Sequence, residues 1–583
     1  MSGGEPGAGK ADSGKTGSGG SHARRSILAL SAVWIIPALV IVTLVLGLDS
    51  WLSSGASFGD ALYRAAALFS YNDVYGGGAP TKDWHILVAR WTGMAAVFGA
   101  AGTALGAVLQ ERLAIGTARF LKQEVVVIGG ESIATKAFEL ARGRGKSTLW
   151  LGAPSLGVAN MGTIALPWPP EDPAKTVFDH CGDADHILLA QPDDAKALAL
   201  VRSAREASPT AFITVLMRDA RLAEDSAATL NEARTRVLSR ASISARALHQ
   251  AHPPFLLAQA LNHSRIHAVI VGFGQTGQAI ARDLIVNCRT TYLEKPHITV
   301  IDPHAHALEG VLRLRAPEID DCAEFTFVPG RIASEGISPD ATSLTTVVQA
   351  AGPMTAAYVC LSEDAEVLAS AGMVQSMLRA VGIARAPIFV RLRDASALGG
   401  VGAEQRGLDA LTPFGDLDTV LAASEFLSRT PDAAARSFCE AYRAALPAEL
   451  RDDPNNTSAR PWDELDETFR QANRDAVAHI PAKLASAGIE PALWRGVIGM
   501  PRLGPEHSLF TSDEACEALA RLEHHRWNAQ RRMDGWRWTD APRKDETLRR
   551  HPSLVEYDAL TDDVKEYDRV YVRETQRALL AAR

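Results

Sequence analysis

Two sets of residues in this chain have the types and spacing that bind phosphate. The first is Gly272-Phe273-Gly274-Gln275-Thr276-Gly277, a complete G-x-G-x-x-G run. It follows the apolar stretch His267–Val271 and precedes a helical pattern. In that context glycine backbone can approach a pyrophosphate at a helix N-terminus. Asp302 closes the next apolar stretch, where a carboxylate can accept from ribose hydroxyls. It lies 30 residues after Gly272, later than the usual spacing of ~20. The glycines have a plainer use as well, tight packing of a strand on a helix, and the sequence leaves both uses open. The second set is Trp527, Arg531, Trp536, Lys544, Tyr557 and Arg569. Trp527 and Arg531 are four apart and share a helical face. Aromatic faces can stack on a base, while the cations pair with phosphate. The plainer alternative is a small domain with tryptophans in its core and ion pairs on its surface.

Other clusters carry less. Gly9-Lys10-Ala11-Asp12-Ser13-Gly14-Lys15-Thr16 satisfies a phosphate-loop pattern, but no strand precedes it and no helix follows. The surrounding Gly, Ser, Ala and charge read as a disordered tail over 1–23. His180, Cys181, Asp183 and His186 make a weak zinc set with one cysteine, and His524 and His525 are adjacent rather than one turn apart. No metal site and no catalytic constellation is expected, so the chain reads as a binding protein and not an enzyme. The cysteines at 181, 288, 322, 360, 439 and 516 form no C-x-x-C pair and read as reduced, mostly buried thiols.

The elements that hold the glycine run form a repeat. Strands are expected at Glu124–Gly129, Ile187–Ala190 and Ala211–Leu216, then at His267–Gly272, Ile298–Asp302, Ala357–Leu361 and Ile388–Arg391. Alternation with helices implies parallel sheets. Ala184–Asp194 in one half parallels Ala357–Asp364 in the other. The corresponding first loop, Gly129-Gly130-Glu131-Ser132-Ile133-Ala134, loses two of three glycine positions, and Glu131 would face a phosphate. That loop is expected to be structural. The tandem plan resembles the regulator-of-potassium-conductance family with TrkA-N-type, Rossmann-like domains. The resemblance implies a cytosolic ring of domain pairs from four subunits and a regulatory nucleotide rather than a hydride donor.

Upstream of the repeat lie two apolar runs. Ile27–Leu48 has 22 residues without charge, and a bilayer core needs about 20 in a helix. It is long for a signal peptide, and Arg24 and Arg25 bias the N-terminus to the cytoplasm. Ile86–Leu109 is the second, with Arg90 placed to snorkel and small residues at Gly93, Gly99, Gly102 and Gly106. Gly99, Gly102 and Gly106 serve either close packing or a gating bend. Between the runs, Ser57–Phe69 suits a helix too short to cross, followed by Ser70, Tyr71, Asn72, Asp73, Val74, Tyr75 and Gly76. This order resembles the two-span potassium-channel family. The resemblance implies that Ser70–Gly76 lines a pore built by a tetramer. The loop departs from Thr-Val-Gly-Tyr-Gly-Asp, and a ring of Asp73 carboxylates favours cations without fixing which.

The last 150 residues change character. His524 and Trp527, Gly535-Trp536, His551-Pro552 with Leu554, Tyr557, Leu560, and Lys565 with Asp568-Arg569 resemble the repeat domain of ryanodine receptors. That resemblance implies a regulatory domain on a channel. Net charge of -8 argues against nucleic-acid binding. The expected chain is a two-span helical pore module at 24–121, two α/β Rossmann-like domains at 122–260 and 261–415, a linker at 416–434, and a mainly helical ligand-binding domain at 435–583. The expected function is a ligand-gated cation channel, potassium being the candidate ion, in an inner or plasma membrane with both termini cytoplasmic. Its partners are lipid, the permeating cation, three further copies and a nucleotide-like ligand (NAD, ATP, ADP or a cyclic nucleotide), with no required cofactor. The alternative is a membrane-anchored nucleotide sensor or effector without selective conduction.

Overall fold

The computed structural model describes residues 19–70, 84–120, 123–129, 132–153, 157–160, 163–166, 182, 184–232, 234–333, 336–338, 340–380, 382, 386–394, 411–454, 456–495, 497, 501, 503–504 and 506–581. Of the expected pore loop, only Ser70 falls among them; Tyr71, Asn72, Asp73, Val74, Tyr75 and Gly76 lie outside. The chain divides into two units, Met1–Gly116 and Thr117–Arg583.

Among the described residues the first unit is three helices. Gly19–Ser53 and Trp84–Phe120 contain segments long and apolar enough to cross a membrane, Ile35–Ser53 and Trp84–Leu105. Their outward side chains are apolar, among them Ile41, Val45, Trp91 and Phe98, as lipid contact requires. Phe58–Ala67 is the short helix between them. Ser57 caps its N-terminus by accepting from the Asp60 N–H, and Arg64 pairs with Asp60 one turn back at 3.1 Å. Ala61 and Ala65 are fully buried because small side chains let this helix press on the first span. A Cβ at Gly47 would sit 2.9 Å from the Ala65 Cβ. Thr43 and Thr92 join the two long helices through their hydroxyls at 2.8 Å. Gly93 packs against the Leu68 carbonyl, whereas a Cβ at Gly99 would make ordinary contact with Ile36 and Gly102 faces open space. The helix runs unbroken through Gly99, Gly102 and Gly106.

The second unit holds two mainly parallel sheets. The first comprises β1 (Val125–Ile128), β2 (Thr148–Leu151), β3 (Gly157–Asn160), β4 (Thr163–Leu166), β5 (His186–Leu189), β6 (Phe212–Met217) and β7 (Thr235–Ser239). Their order is β3-β4-β2-β1-β5-β6-β7, with only β3 antiparallel. The second comprises β8 (His267–Val271), β9 (His297–Asp302), β10 (Glu324–Pro329), β13 (Ala356–Val359), β14 (Ile388–Arg391) and β15 (Leu411–Phe414), with β11 (Arg331–Ala333) and β12 (Gly336–Ser338) forming a separate hairpin. Their order, β10-β9-β8-β13-β14-β15, is the doubly wound arrangement with a topological switch between β8 and β13. The central strands read as continuous apolar runs because helices cover both faces.

The sequence repeat has a physical counterpart. Asp194 accepts from the backbone N–H groups of Arg218 and Asp219 at 3.0 and 2.9 Å. Asp364 does the same for Arg393 and Asp394 at 3.1 and 3.3 Å. In each sheet one aspartate therefore ties two neighbouring loops at the carboxyl ends of the strands.

The two sheets exchange helices. Arg240–Ala251 follows β7, yet its Ala241, Ala245 and Leu248 join the core of the second sheet. Leu417–Ala423 follows β15, yet Val420, Leu421 and Phe426 join the core of the first. Residues 416–434, expected to be a linker, are thus a packed crossover. Lys136 pairs with Asp418, and Arg236 donates to the Ser424 carbonyl.

The C-terminal region is helical: Ala433–Ala445, Glu467–Ala478, Ile480–Ser486, Asp513–Met533 and Asp562–Ala581, with a two-strand pair β16 (Arg537–Trp538) and β17 (Arg550–His551). Between Glu467 and Ser486 the helical run is divided at His479, where Pro481 starts a new segment. Its centre is ionic. Glu523, 1% exposed, accepts from Lys483 at 2.6 Å and from Arg526 at 2.8 Å. The two cations hold its carboxyl far below the usual range.

Removing Lys483 leaves one oxygen of the buried Glu523 carboxylate without its charged donor while Arg526 still holds the other, which costs about 1–3 kcal/mol. Lys483→Met should lower the thermal midpoint of the purified chain by several degrees. Lys295→Met, which touches Glu324 at the surface, should change stability by less than ~0.5 kcal/mol. Equal effects in the two variants would contradict this ranking.

Candidate functional site

The glycine run forms the turn from β8 into the helix Gln275–Asn287. Gly272 has φ +87°, and a Cβ there would meet the Leu361 side chain at 2.9 Å. A Cβ at Gly277 would sit 2.3 Å from the Gly272 carbonyl oxygen, so the helix can approach the strand only with glycine here. Gly274 differs: no atom lies within 4 Å of its ideal Cβ. The first and third glycines therefore pack, while the second leaves room beside the helix N-terminus, as phosphate approach requires. Asp302 ends β9 and organises the turn. One oxygen accepts from the Phe273 N–H and the other from the His304 N–H, both at 2.8 Å. Each carboxylate oxygen keeps a further lone pair.

Gln275 reaches from this helix to the first sheet's domain. Its amide oxygen accepts from the Ala220 N–H at 2.9 Å, and its amide nitrogen donates to Asp219 at 3.1 Å. In the first domain, the turn after β1 is held differently. The Trp150 indole donates to the Gly129 carbonyl, and a Cβ at Gly129 would collide with the Ala190 carbonyl. Gly130 and Glu131 lie outside the described residues. Neither the Gln275 bridge nor the Trp150 bond has a spacing signature in the sequence.

Trp527, Arg531, Trp536 and Lys544 come together. Trp527 and Arg531 stand one turn apart on the helix Asp513–Met533. Gly535 then reverses the chain at φ +85°, where a Cβ would lie 2.8 Å from the Arg315 carbonyl oxygen. The Trp536 N–H donates back to the Arg531 carbonyl at 2.9 Å, which folds its ring against the same turn. The Arg531 guanidinium lies 5.2 Å from the centroid of Trp536, 5.4 Å from Phe469 and 5.9 Å from Trp527. Lys544 lies 5.5 Å from the Phe469 ring and 2.9 Å from Glu546. His551 packs edge-on to Trp527 and Trp536. Burial, with Arg531 and Lys544 adding to it, lowers the His551 pKa to about 4, so the imidazole is neutral at pH 7.

Arg531 is 8% exposed, its Nε is buried without a hydrogen-bond partner among the described residues, and Asp534 and Glu546 act on it only at longer range than an ion pair. Four other arginines along the same cleft are ion-paired through their terminal nitrogens. Asp475 accepts from Arg246 at 2.6 Å and Arg282 at 3.3 Å. Asp432 pairs with Arg236 at 3.2 Å and Arg474 at 3.0 Å. Cation–π contacts contribute about 0.5–2 kcal/mol each, but they do not supply the Nε–H of Arg531 with an acceptor. The cleft has a volume of about 1720 Å³ and reaches from Arg531, Trp536 and Phe469 to Phe273, Gln275 and the helix Ala220–Leu230. It accommodates a molecule of nucleotide size.

Tyr557 and Arg569 lie in a different cluster, against the expectation of one six-residue pocket. The Tyr557 hydroxyl donates to Glu517 at 3.0 Å, and Arg569 donates to Glu517 at 2.7 Å and Asp562 at 2.8 Å. Tyr557 is buried, and its ring is covered by Arg521 and Lys565. Both polar groups are already engaged, so these residues brace the last two helices. Phe469, Glu546 and His551 take their place around Arg531. Phe469 comes from a helix far upstream, and no spacing rule links it to Arg531.

Comparison with known proteins gives one family match and several structural likenesses. No curated protein matches the chain. The solved GsuK channel has 15% identity and a TM-score of 0.35, over 70% of this chain and 100% of that one. A GsuK channel bound to NAD has 13% identity and a TM-score of 0.35, over 70% and 85%. GsuK bound to ADP has 14% identity and a TM-score of 0.33, over 69% and 97%. Residues 511–583 match the RyR domain family, a span that contains Trp527, Arg531, Trp536 and Lys544 but not Phe469.

Proposed function

We propose that this chain is one subunit of a ligand-gated cation channel whose cytosolic part senses a small nucleotide-like anion. The observation that carries the ligand half is Arg531, whose buried Nε has no acceptor among the described residues and which is walled by three aromatic rings at one end of a cleft large enough for a nucleotide. A phosphate or carboxylate oxygen satisfies it. The aromatic faces nearest the guanidinium are engaged by it, so they orient the cation rather than sandwich a base. The glycine loop at Gly272–Gly277, with Asp302, offers a second nucleotide position for NAD, ATP, ADP or a cyclic nucleotide.

The pore half rests on the first unit. Two helices long enough to span flank a short helix that packs on the first of them. Two spans cannot enclose a pore, so four copies would supply eight, with Ser70–Gly76 at the axis and potassium as the candidate ion. Gly99, Gly102 and Gly106 would permit the second span to bend. A ligand shifts such a gate only if it binds the open and closed states with different affinity. A membrane-anchored sensor without selective conduction is the second reading, favoured by the loop's departure from the potassium filter pattern.

Isothermal calorimetry on the purified chain with NAD, ATP, ADP, AMP and cyclic nucleotides tests the ligand half. Arg531→Ala should weaken binding about tenfold to a hundredfold, since a hydrogen bond to a charged group is worth ~1.5–3 kcal/mol. Arg569→Ala should lower stability and leave affinity unchanged. Reversed effects would move the site to Tyr557 and Arg569. Gly274→Asp should abolish binding at the glycine loop by filling the open position and repelling phosphate. Unchanged heats in that variant would show that the three glycines serve packing alone.

A further inference from the structure

Away from both nucleotide positions, three metal-ligating side chains converge in the core of the second unit. His249 stands on the helix Arg240–Ala251, which follows the first sheet. Asp283 and Cys288 stand on the helix that begins at the glycine loop, Cys288 being its C-cap. The His249 Nδ1, one Asp283 carboxylate oxygen and the Cys288 Sγ all lie within 4.8 Å of one another. Nδ1 is 2.6 Å from Asp283 and 3.8 Å from the sulfur. All three are buried, at 5%, 7% and 2% exposure.

The surroundings are under-satisfied. His249 Nε2, Asn287 Oδ1 and the Tyr358 hydroxyl are buried without a hydrogen-bond partner among the described residues. Asn287 donates its amide to Asp283 at 2.8 Å, and the Tyr358 ring lies 5.7 Å from His249, edge-on. Buried polar atoms are normally paired, so three orphans around one His–Asp–Cys group is unusual. A simple imidazolium–carboxylate pair leaves both the orphans and the neighbouring thiol unexplained.

We propose that His249, Asp283 and Cys288 form a site for a borderline divalent cation of the zinc class. Nitrogen, oxygen and sulfur donors together suit zinc, whose bonds of about 2.0–2.3 Å set ligand atoms roughly 3.3–3.7 Å apart in a tetrahedron. The His–Asp separation widens and the His–Cys separation closes slightly to reach that geometry. The thiolate and the carboxylate neutralise the cation. The thiol proton and the proton shared by His249 and Asp283 leave to solvent as the metal enters. Tyr358 and Asn287 supply the nearest candidates for a fourth oxygen donor. The metal would join a helix from the first sheet's domain to the helix that carries the glycine loop.

The test uses the full chain in detergent, stripped by a chelator and titrated with Co2+, a spectroscopic stand-in for Zn2+. The expected result is one Co2+ per chain with a near-ultraviolet thiolate charge-transfer band, displaced by Zn2+. Cys288→Ser should remove the band and weaken binding at least about tenfold, whereas Cys360→Ser should retain both. Added Zn2+ should raise the unfolding temperature of the unmodified chain only where these ligands are intact. His249→Gln, which should also weaken binding at least about tenfold, supplies the same comparison if Cys288→Ser does not fold. Absence of saturable Co2+ binding, or a charge-transfer band that survives Cys288→Ser, overturns the proposal. Either result leaves the Arg531 reading untouched, because no residue is shared.

Discussion

The second unit depends on one constraint, that a cation taken out of water needs an acceptor. An uncompensated buried charge costs several kcal/mol, a large part of the stability of any domain. The chain meets this demand repeatedly where its parts join. Asp475 holds Arg246 and Arg282, Asp432 holds Arg236 and Arg474, and Glu523 holds Lys483 and Arg526. The Asp475 and Asp432 groups fix the C-terminal region onto both sheet domains, the Glu523 group joins two C-terminal helices, and the apolar core runs through the same junction. Against that background Arg531 stands out. Its aromatic walls lower the cost of burial, but its Nε–H remains without an acceptor among the described residues.

The position of that charge links chemistry to motion. The cleft is walled by the helix Ala220–Leu230 from the first sheet's domain, by the start of the glycine-loop helix, and by the C-terminal helices. A ligand that pairs with Arg531 and fills the cleft would touch all three. If their separation differs between two states, the same ligand has different affinity for each, which is the thermodynamic condition for regulation. Gln275 already ties the glycine loop to Asp219 and Ala220, so occupancy of the loop and closure of the cleft share one contact.

Elements with a strong period were legible in the sequence. The spanning helices, the apolar strands, the glycine run and the Trp527–Arg531 turn each follow from spacing within one segment. What spacing cannot encode is which distant segments meet. Tyr557 and Arg569 look like a stacking ring and a phosphate cation, but Glu517 engages both. Phe469 looks like an ordinary helix residue, but it completes the wall of Arg531. The segment 416–434 looks like a linker because it is short and follows the last strand. Its Val420 and Leu421 are nevertheless core residues of the other sheet. The His249–Asp283–Cys288 group was illegible for the same reason, since its members come from two helices on either side of the domain boundary.

The most direct measurement is cation current from the purified chain in planar bilayers, recorded while a nucleotide found to bind is added on the cytosolic face. The reading of Arg531 as the sensor predicts discrete unitary currents whose open fraction changes with ligand. In Arg531→Ala the unitary conductance should be unchanged, with the response displaced about tenfold or more to higher ligand. Unitary currents indifferent to every ligand that binds, or an identical dose response in Arg531→Ala, would contradict it.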